Sequence, residues 1–218
     1  MRRVWRAWQR GGWRLAARVV CDRIADHSAE RRLGIDSAGL IPIETLLKEW
    51  HECHDYFPTT IRDFRMLMDD LAIAEDDVFL DLGSGKGRVL LLAAQHPFRR
   101  VIGVEISETL IAAARTNVSR CTAARVCHDI EILHANAKDF EIPRDVTVLY
   151  LYNPFHGDIL RRVFENIHRS LLAHPRRIRI VVNNPVHAAD LAARQRWLRL
   201  AKEYSFEFRI ALYQSDDV

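Results

Sequence analysis

Cysteine is scarce in this sequence, and none of its four cysteines lies in a C-x-x-C pair. Neither a disulfide framework nor a zinc site is therefore expected, and a reducing, cytoplasmic location is predicted. No apolar stretch approaches the length of a membrane span. A secretory signal is not expected either, because an arginine interrupts the N-terminal apolar residues every few positions. These absences favour an ordinary globular protein.

Acidic residues are missing from the start of the chain. Residues 1–20 contain six arginines and no acid, although the whole chain has a net charge of only +3. Such a small net charge gives no argument for nucleic-acid binding by the molecule as a whole. The basic start has three interpretations: a helix packed on the rest of the chain, a helix at a membrane surface, or a contact with an anionic partner.

From residue 77 onward, apolar strand patterns alternate with helical patterns. Strands are predicted at 77–81, 100–105, 129–134, 146–151 and 178–183, with two more in the tail at 197–213. Helices are predicted at 86–96, 107–120 and 157–173. This alternation predicts an α/β fold with a mostly parallel, seven-stranded sheet and helices on both faces. Ligands of such sheets bind outside the carboxyl ends of the strands.

The sequence before this alternation predicts a helical extension, residues 1–55, in front of a main domain at 56–218. Helical patterns cover 3–27 and 43–54 in this extension, and 59–72 at the start of the main domain. Gly11-Gly12 could divide the first helix, since a glycine inside a helix costs about 1 kcal/mol. The run His51-Glu52-Cys53-His54 is interpreted as solvated helix surface, because no second ligand pair stands at a spacing typical of a metal site.

A glycine-rich loop follows the first predicted strand and reads Asp-Leu-Gly-Ser-Gly-Lys-Gly-Arg at 81–88. The dinucleotide fingerprint G-x-G-x-x-G would require glycine where Arg88 stands. A phosphate-binding Walker loop would require serine or threonine after Lys86, where Gly87 stands. The carboxylate of Asp81 would repel a pyrophosphate, yet it suits a cofactor that carries an ammonium or sulfonium group.

A second acid stands at the end of the next strand. Glu105 lies 22 residues after Gly83 and closes the run Val-Ile-Gly-Val-Glu. An acid at this place can accept hydrogen bonds from ribose hydroxyls. The loop and this acid together indicate an adenosine-bearing cofactor.

The runs at 81–87 and 101–105 resemble the first two motifs of class I S-adenosylmethionine-dependent methyltransferases, over about residues 56–185. The resemblance implies a Rossmann-like fold and S-adenosylmethionine as cofactor. It implies that the glycine loop passes under the methionine and ribose, and that the acid holds the ribose. Asn136 stands where the family commonly has an adenine-binding aspartate. The cofactor-binding residues implied are Asp81, Gly83, Ser84, Gly85, Gly87, Glu105, Ile106, Asn136, Ala137 and Asn153.

The end of the fourth strand would face the reactive methyl group. Asn153-Pro154-Phe155 is similar to the N-P-P-[FY] stretch of amino-directed methyltransferases, but has one proline and an earlier aromatic residue. The segment also resembles the asparagine-containing motif of the non-SET histone-lysine methyltransferase family and its bacterial relatives. The tyrosine and threonine of their upstream helix are echoed by the run at 56–60. Asn153, Tyr152 and Phe155 are the implied catalytic residues, with no metal.

The expected activity is methyl transfer to a nitrogen of a protein side chain or a small-molecule amine. A nucleic-acid amine as acceptor remains an alternative. So does a non-catalytic module that keeps the nucleotide-binding fold for interactions. A nucleotide-dependent oxidoreductase is disfavoured by Arg88.

Overall fold

The computed structural model describes residues 2–47, 51–152, 155–206 and 208–216. Its centre is a seven-stranded sheet of β1 (Val78–Leu82), β2 (Arg100–Glu105), β3 (Ile130–His134), β4 (Val148–Tyr152), β5 (Arg179–Asn183), β6 (Leu198–Ser205) and β7 (Arg209–Ser215). The strand order is β3-β2-β1-β4-β5-β7-β6. Strands β1 to β5 are parallel, and β7 runs antiparallel to β5 and β6. The predicted mostly parallel sheet is confirmed.

The helices connect and cover these strands. They are α1 (Arg2–Leu33), α2 (Ile61–Asp70), α3 (Arg88–Ala93), α4 (Glu108–Arg120), α5 (Gly157–Ala173) and α6 (Ala188–Ala193). Helix α6 has only six residues and was not predicted, because so short a helix has little periodicity. Within the described ranges, no helix is long and apolar enough to cross a membrane.

Each face of the sheet has its own apolar core. Alternate residues of a strand point to opposite faces, so Leu80 and Phe79 of β1 belong to different clusters. The Leu80 cluster is completed by α5 and α6, and the Phe79 cluster by α2 and α3. Both faces are therefore covered, which explains why the central strands read as continuous apolar runs.

The strand order reverses at β1, which pairs with β2 on one side and with β4 on the other. The chain thus builds one half of the sheet outward from β1 and then returns to begin the other half. Such a switch point leaves a crevice at the carboxyl ends of the two central strands. Both the glycine loop and the end of β4 lie at this edge.

The helix predicted at 43–54 is wrong. Within the described residues, this region has only a short 3-10 turn at Ile43–Thr45. Residues 51–52 form a turn, Cys53 is bridged to Phe155, and Ile41, just before this region, is bridged to Tyr56, just after it. Contacts with the main domain therefore override the helical pattern of the sequence.

The first helix is longer than predicted. Helix α1 spans Arg2–Leu33 as one element, although Gly12 within it has a φ of +66°. The glycine pair therefore does not divide α1 into two helices. The predicted boundary between 1–55 and 56–218 stays a prediction.

Candidate active site

A cavity of about 640 Å³ opens at the carboxyl ends of β1, β2 and β4. This volume lies within the range of small-molecule sites, about 300–1,000 Å³. Nine of the predicted site residues line it: Asp81, Gly83, Ser84, Glu105, Ile106, Asn136, Ala137, Tyr152 and Phe155. The remaining walls come from the segment between residues 43 and 59 and from the start of α5. The strand ends thus bring together residues that are more than 70 positions apart.

Asp81 is the buried acid of the cavity. It ends the apolar run of β1 and is only 3% exposed. Burial raises the pKa of its carboxyl well above the usual range, and the nearby charge of Glu105 raises it further. A cationic ligand in the cavity would reverse both effects by stabilising the ionised form. The site is therefore prepared for a positive charge.

Glu105 organises the glycine loop. Its Oε2 accepts a hydrogen bond from the N–H of Gly85 at 2.9 Å. Its Oε1 accepts from the N–H groups of Ile106 and Ser107 at 2.9 and 3.0 Å. Burial nevertheless raises the pKa of this carboxyl, against the lowering by the three N–H groups. A carboxylate offers about four acceptor sites, so a ribose hydroxyl would find the remaining one on Oε2.

The glycines of the loop have different local roles. Gly83, Gly85 and Gly87 all have positive φ angles, of 87°, 56° and 79°. A side chain at Gly85 would collide with the ring of Tyr56, and a Cβ at Gly87 would lie 3.1 Å from that of Ala114. Gly85 therefore lets the segment before α2 close over the loop, while Gly87 lets α3 pack against α4. The predicted cofactor contacts of both glycines remain predictions.

The hydroxyl of Ser84 is unsatisfied. Its Oγ is buried and has no hydrogen-bond partner within the described residues, although Ser84 lines the cavity. A buried hydroxyl without a partner costs free energy. A polar ligand that reached this oxygen would remove that cost.

Arg88 joins α1 to the glycine loop. The side chain is 3% exposed and donates to Asp26 at 2.7 Å and to Glu30 at 2.8 Å, both on α1. It also donates to the carbonyl of Thr59 at 2.8 Å and to the hydroxyl of Ser37 at 2.9 Å. The residue that excludes the dinucleotide fingerprint is thus the buried link between α1, the segment before α2, and α3. Sequence reasoning missed this role, because nothing local marks a buried arginine.

The side chain of Asn136 makes a hydrogen bond within its own loop. Its Oδ1 accepts a hydrogen bond from the N–H of Lys138 at 3.1 Å, which is the geometry of an Asx turn. The residue is exposed and still lines the cavity. A carbonyl oxygen has a second lone pair, so the predicted contact with an adenine amino group stays open as a prediction.

The wall of the cavity that was predicted to face the methyl acceptor is aromatic. Tyr152 and Phe57 meet edge to face, with ring centroids 6.3 Å apart, and Phe155 lines the same wall. Asn153, the third predicted catalytic residue, lies outside the described residues. The structure therefore describes the aromatic residues around the predicted site of methyl transfer, but not Asn153 itself.

Tyr150 is a buried aromatic residue of β4. Its hydroxyl lies 2.9 Å from Oγ1 of Thr59 and accepts a hydrogen bond from Nδ2 of Asn183 at 3.0 Å. Both Tyr150 and Thr59 line the cavity. These bonds hold the segment before α2 against the ends of β4 and β5. The residue pair lies in the floor of the site, a role that the sequence did not indicate.

Residues 51–59 form a cover segment over the cavity, defined by its bridge to Phe155 and its contacts with α5. The carboxylate of Glu52 accepts the N–H groups of Asp158 and Ile159 at 3.0 Å each, in the first turn of α5. The side chain of Glu52 would collide with a Cβ at Gly157, whose φ is +58°. The interpretation of 51–54 as helix surface is therefore wrong, since this run instead anchors the cover segment.

Three histidines meet where the cover segment joins the domain. The ring of His54 lies 5.2 Å from that of His156 and 5.5 Å from that of His187, between centroids. Burial lowers the pKa of His54, and the two neighbouring histidines lower it further. Within the described residues, no group of three His, Cys, Asp or Glu side chains has a geometry that could hold a metal ion. The three rings pack against one another at this junction.

Acidification is expected to destabilise this contact. The pKa of His54 is lower in the folded protein than its ordinary value, so its stabilising effect is present at higher pH and lost as the pH falls. We expect the melting temperature to fall between about pH 7 and pH 5. The fall should be smaller in His54→Phe, and His128→Phe, at an exposed site, is the control. Equal pH profiles for His54→Phe and wild type would contradict the assignment.

The fold is similar to that of known methyltransferases. Residues 79–173 match the family model of a methyltransferase domain. An RNA methyltransferase structure from Salinibacter ruber, in complex with S-adenosyl-L-homocysteine, aligns with a TM-score of 0.53 at 23% identity and covers 72% of this chain and 92% of that one. A ribosomal protein L11 methylase from Lactobacillus delbrueckii subsp. bulgaricus aligns with a TM-score of 0.54 at 14% identity and covers 75% and 81%. These likenesses confirm the predicted Rossmann-like class I fold.

A curated sequence relative is a protein-lysine N-methyltransferase from Saccharolobus islandicus (strain REY15A). It is 32% identical over 66 residues, which is 30% of this chain. The match covers 41% of that protein. The chain therefore corresponds to less than half of this curated relative.

Proposed function

We propose that this chain, whose sheet is that of class I S-adenosylmethionine-dependent methyltransferases, transfers a methyl group from S-adenosylmethionine to a nitrogen atom of a protein side chain or small-molecule amine. The observation that carries the proposal is the cavity at the switch point of the sheet, with Asp81 and Glu105 at neighbouring strand ends. The matched methyltransferase domain supports it.

The charge of the cavity fits this cofactor. S-adenosylmethionine carries an ammonium group and a sulfonium group. Asp81, with its raised pKa, gains most from such cations because they favour its ionised form. Glu105 would accept a ribose hydroxyl through Oε2, and the free Oγ of Ser84 would meet a polar group of the methionine portion. We propose that Asp81, Ser84 and Glu105 make these contacts. We propose that the other predicted cofactor-binding residues also contact the cofactor.

The aromatic wall fits an amine acceptor. A lysine ammonium must lose a proton before it can attack, which costs about 4.6 kcal/mol at pH 7 from its ordinary pKa. Poorly hydrated walls such as Tyr152 and Phe155 would reduce this cost by favouring the neutral amine. Their ring faces would also attract the sulfonium. The lysine methyltransferase named among the relatives points to the same acceptor class.

The reaction needs alignment more than acid–base chemistry. The acceptor nitrogen forms a bond to the methyl carbon as the carbon–sulfur bond breaks, and S-adenosylhomocysteine leaves. The protein has to hold the nitrogen, the carbon and the sulfur in line and keep water out. The cover segment closes the cavity on one side, and Tyr152 and Phe155 form its acceptor wall. We propose that Asn153 holds the acceptor nitrogen.

The alternatives differ in the acceptor. A nucleic-acid amine would also fit an aromatic wall, and a non-catalytic binding module would use the cavity without transfer. Cytoplasmic location, predicted from the cysteines, stays a prediction. An amine-bearing substrate is the partner that the proposal requires.

Radiolabelled S-adenosylmethionine tests the proposal directly. The purified protein is incubated with the labelled cofactor and with protein, RNA and small-molecule fractions of a lysate. We expect label in the protein or small-molecule amine fraction. Label confined to RNA would support the first alternative, and no label despite cofactor binding would support the second.

The substitution Asn153→Ala separates catalysis from binding. We expect the transfer rate to fall by about a hundredfold, since a misplaced acceptor loses alignment with the methyl group. The affinity for S-adenosylhomocysteine should fall less than the transfer rate, since the other predicted residues still hold the cofactor. A wild-type transfer rate in Asn153→Ala would contradict the assignment of this residue.

A further inference from the structure

The acids of α1 all serve the interior of the protein. Asp22 and Glu30 are buried at 7% and 3% exposure. Asp22 lies 3.6 Å from the guanidinium of Arg62, and both Asp26 and Glu30 receive hydrogen bonds from Arg88. These three are the only acidic residues between 2 and 33. The acids of α1 are therefore paired with the buried Arg88 and with Arg62, which is half exposed.

The outward side of α1 carries an apolar stripe, defined as Trp13, Ala17, Val20 and Ile24. Spacings of four, three and four residues place these side chains along one face of a helix. All four are exposed, with Trp13 at 69%, Ile24 at 63% and Val20 at 40%. Large apolar side chains that lie exposed next to each other mark an interaction surface more often than isolated ones do.

Among the side chains of α1 whose exposure the structure describes, the exposed charges are all positive. They belong to Arg14, Arg23, Arg31 and Arg32. Residues 1–20, which include the first part of the stripe, contain six arginines and no acid. The solvent side of α1 thus combines an apolar stripe with charge of one sign.

We propose that the outward side of α1 lies on the surface of a bilayer that contains anionic lipids. A helix with arginine on its polar side and with tryptophan and aliphatic residues on the other binds in the interfacial region of such membranes. Its basic residues are attracted by the negative surface potential. The stripe would enter the boundary between headgroups and acyl chains, while the buried acids keep α1 on the domain.

The apolar stripe and the positive charge of α1 disfavour two other partners for this surface, a second copy of the chain and a nucleic acid. A second copy of this chain would bring one basic surface against another, which is electrostatically unfavourable. A nucleic acid would match the arginines, but its phosphate backbone would leave Val20 and Ile24 without an apolar partner. A lipid surface with anionic headgroups matches both the apolar stripe and the positive charge.

Vesicle co-sedimentation tests the proposal with the full chain. The vesicles contain either phosphatidylcholine alone or equal parts of phosphatidylcholine and phosphatidylglycerol. We expect wild-type protein to sediment with the mixed vesicles, less so as salt is raised, and not with the neutral ones. The double variant Trp13→Ser/Ile24→Ser should partition about tenfold less, since it loses the two largest exposed side chains of the stripe.

Leu200→Ser is the matched control, because Leu200 is 51% exposed on β6, outside α1. It should sediment like wild type, and melting temperatures should show that all variants are folded. Absence of wild-type sedimentation, equal binding to neutral vesicles, or wild-type partition of the double variant would each overturn the proposal. So would concentration-dependent self-association that the double variant loses. Titration with S-adenosylhomocysteine, run in parallel, keeps this outcome separate from the proposed enzymatic function.

Discussion

Arg88→Met is expected to lower the free energy of unfolding by about 3–5 kcal/mol, the range observed when one partner of a buried ion pair is removed. Methionine keeps the apolar stem but removes the donors to Asp26, Glu30 and the carbonyl of Thr59. Glu30, at 3% exposure, would then be a buried carboxylate without its cation. The pKa of Asp26 is already raised by burial despite Arg88, so loss of the arginine should raise it further. Helix α1 should detach first.

Urea unfolding measures this loss. Arg115→Met, at an exposed position of α4, is the control and should change the free energy of unfolding by less than about 0.5 kcal/mol. The double variant Arg88→Met/Glu30→Gln should recover part of the loss, because the glutamine removes the buried charge at position 30. A loss below about 1 kcal/mol for Arg88→Met would show that α1 is not held by this arginine.

Glu105→Ala is expected to raise the Kd for S-adenosylhomocysteine by about tenfold to a hundredfold, the range for loss of a hydrogen bond to a charged group. The variant loses the acceptor for a ribose hydroxyl. It also releases the N–H groups of Gly85, Ile106 and Ser107, so the glycine loop loses its internal support. Both effects lower the affinity for the cofactor.

The control for this variant is Glu108→Ala. Its carboxylate is 86% exposed in the first turn of α4, only three residues further along the chain. We expect an unchanged Kd. If Glu105→Ala also binds like wild type, the acid at the end of β2 does not hold the cofactor.

The sheet could be predicted because its buried strands are continuous apolar runs in the sequence. Strand β5, Arg179–Asn183, is buried along most of its length, so its apolar run predicts a strand from the sequence alone. Helix α5 begins and ends at the predicted residues 157 and 173, since its apolar periodicity runs for its whole length. Nine of the predicted site residues line one cavity because the carboxyl ends of parallel strands lie at one edge of the sheet.

The parts that sequence reasoning missed depend on contacts distant in sequence. Arg88 is buried through acids of α1 that stand 58 and 62 positions away. Glu52 caps a helix that begins more than 100 residues later. His54 belongs to a cluster with His156 and His187, whose members are not related by any local spacing. Local periodicity contains no information on such partners, so the segment 43–54 was assigned a helix that tertiary contacts do not permit.

Calorimetric titration of the wild-type protein with S-adenosylhomocysteine tests the central claim, that the cavity at the ends of β1, β2 and β4 holds an adenosyl amino-acid cofactor. We expect saturable binding of one molecule per chain, because the ligand's ammonium group favours the ionised form of Asp81 and the ribose hydroxyls find an acceptor in Glu105. Absence of binding at about millimolar ligand would contradict the claim.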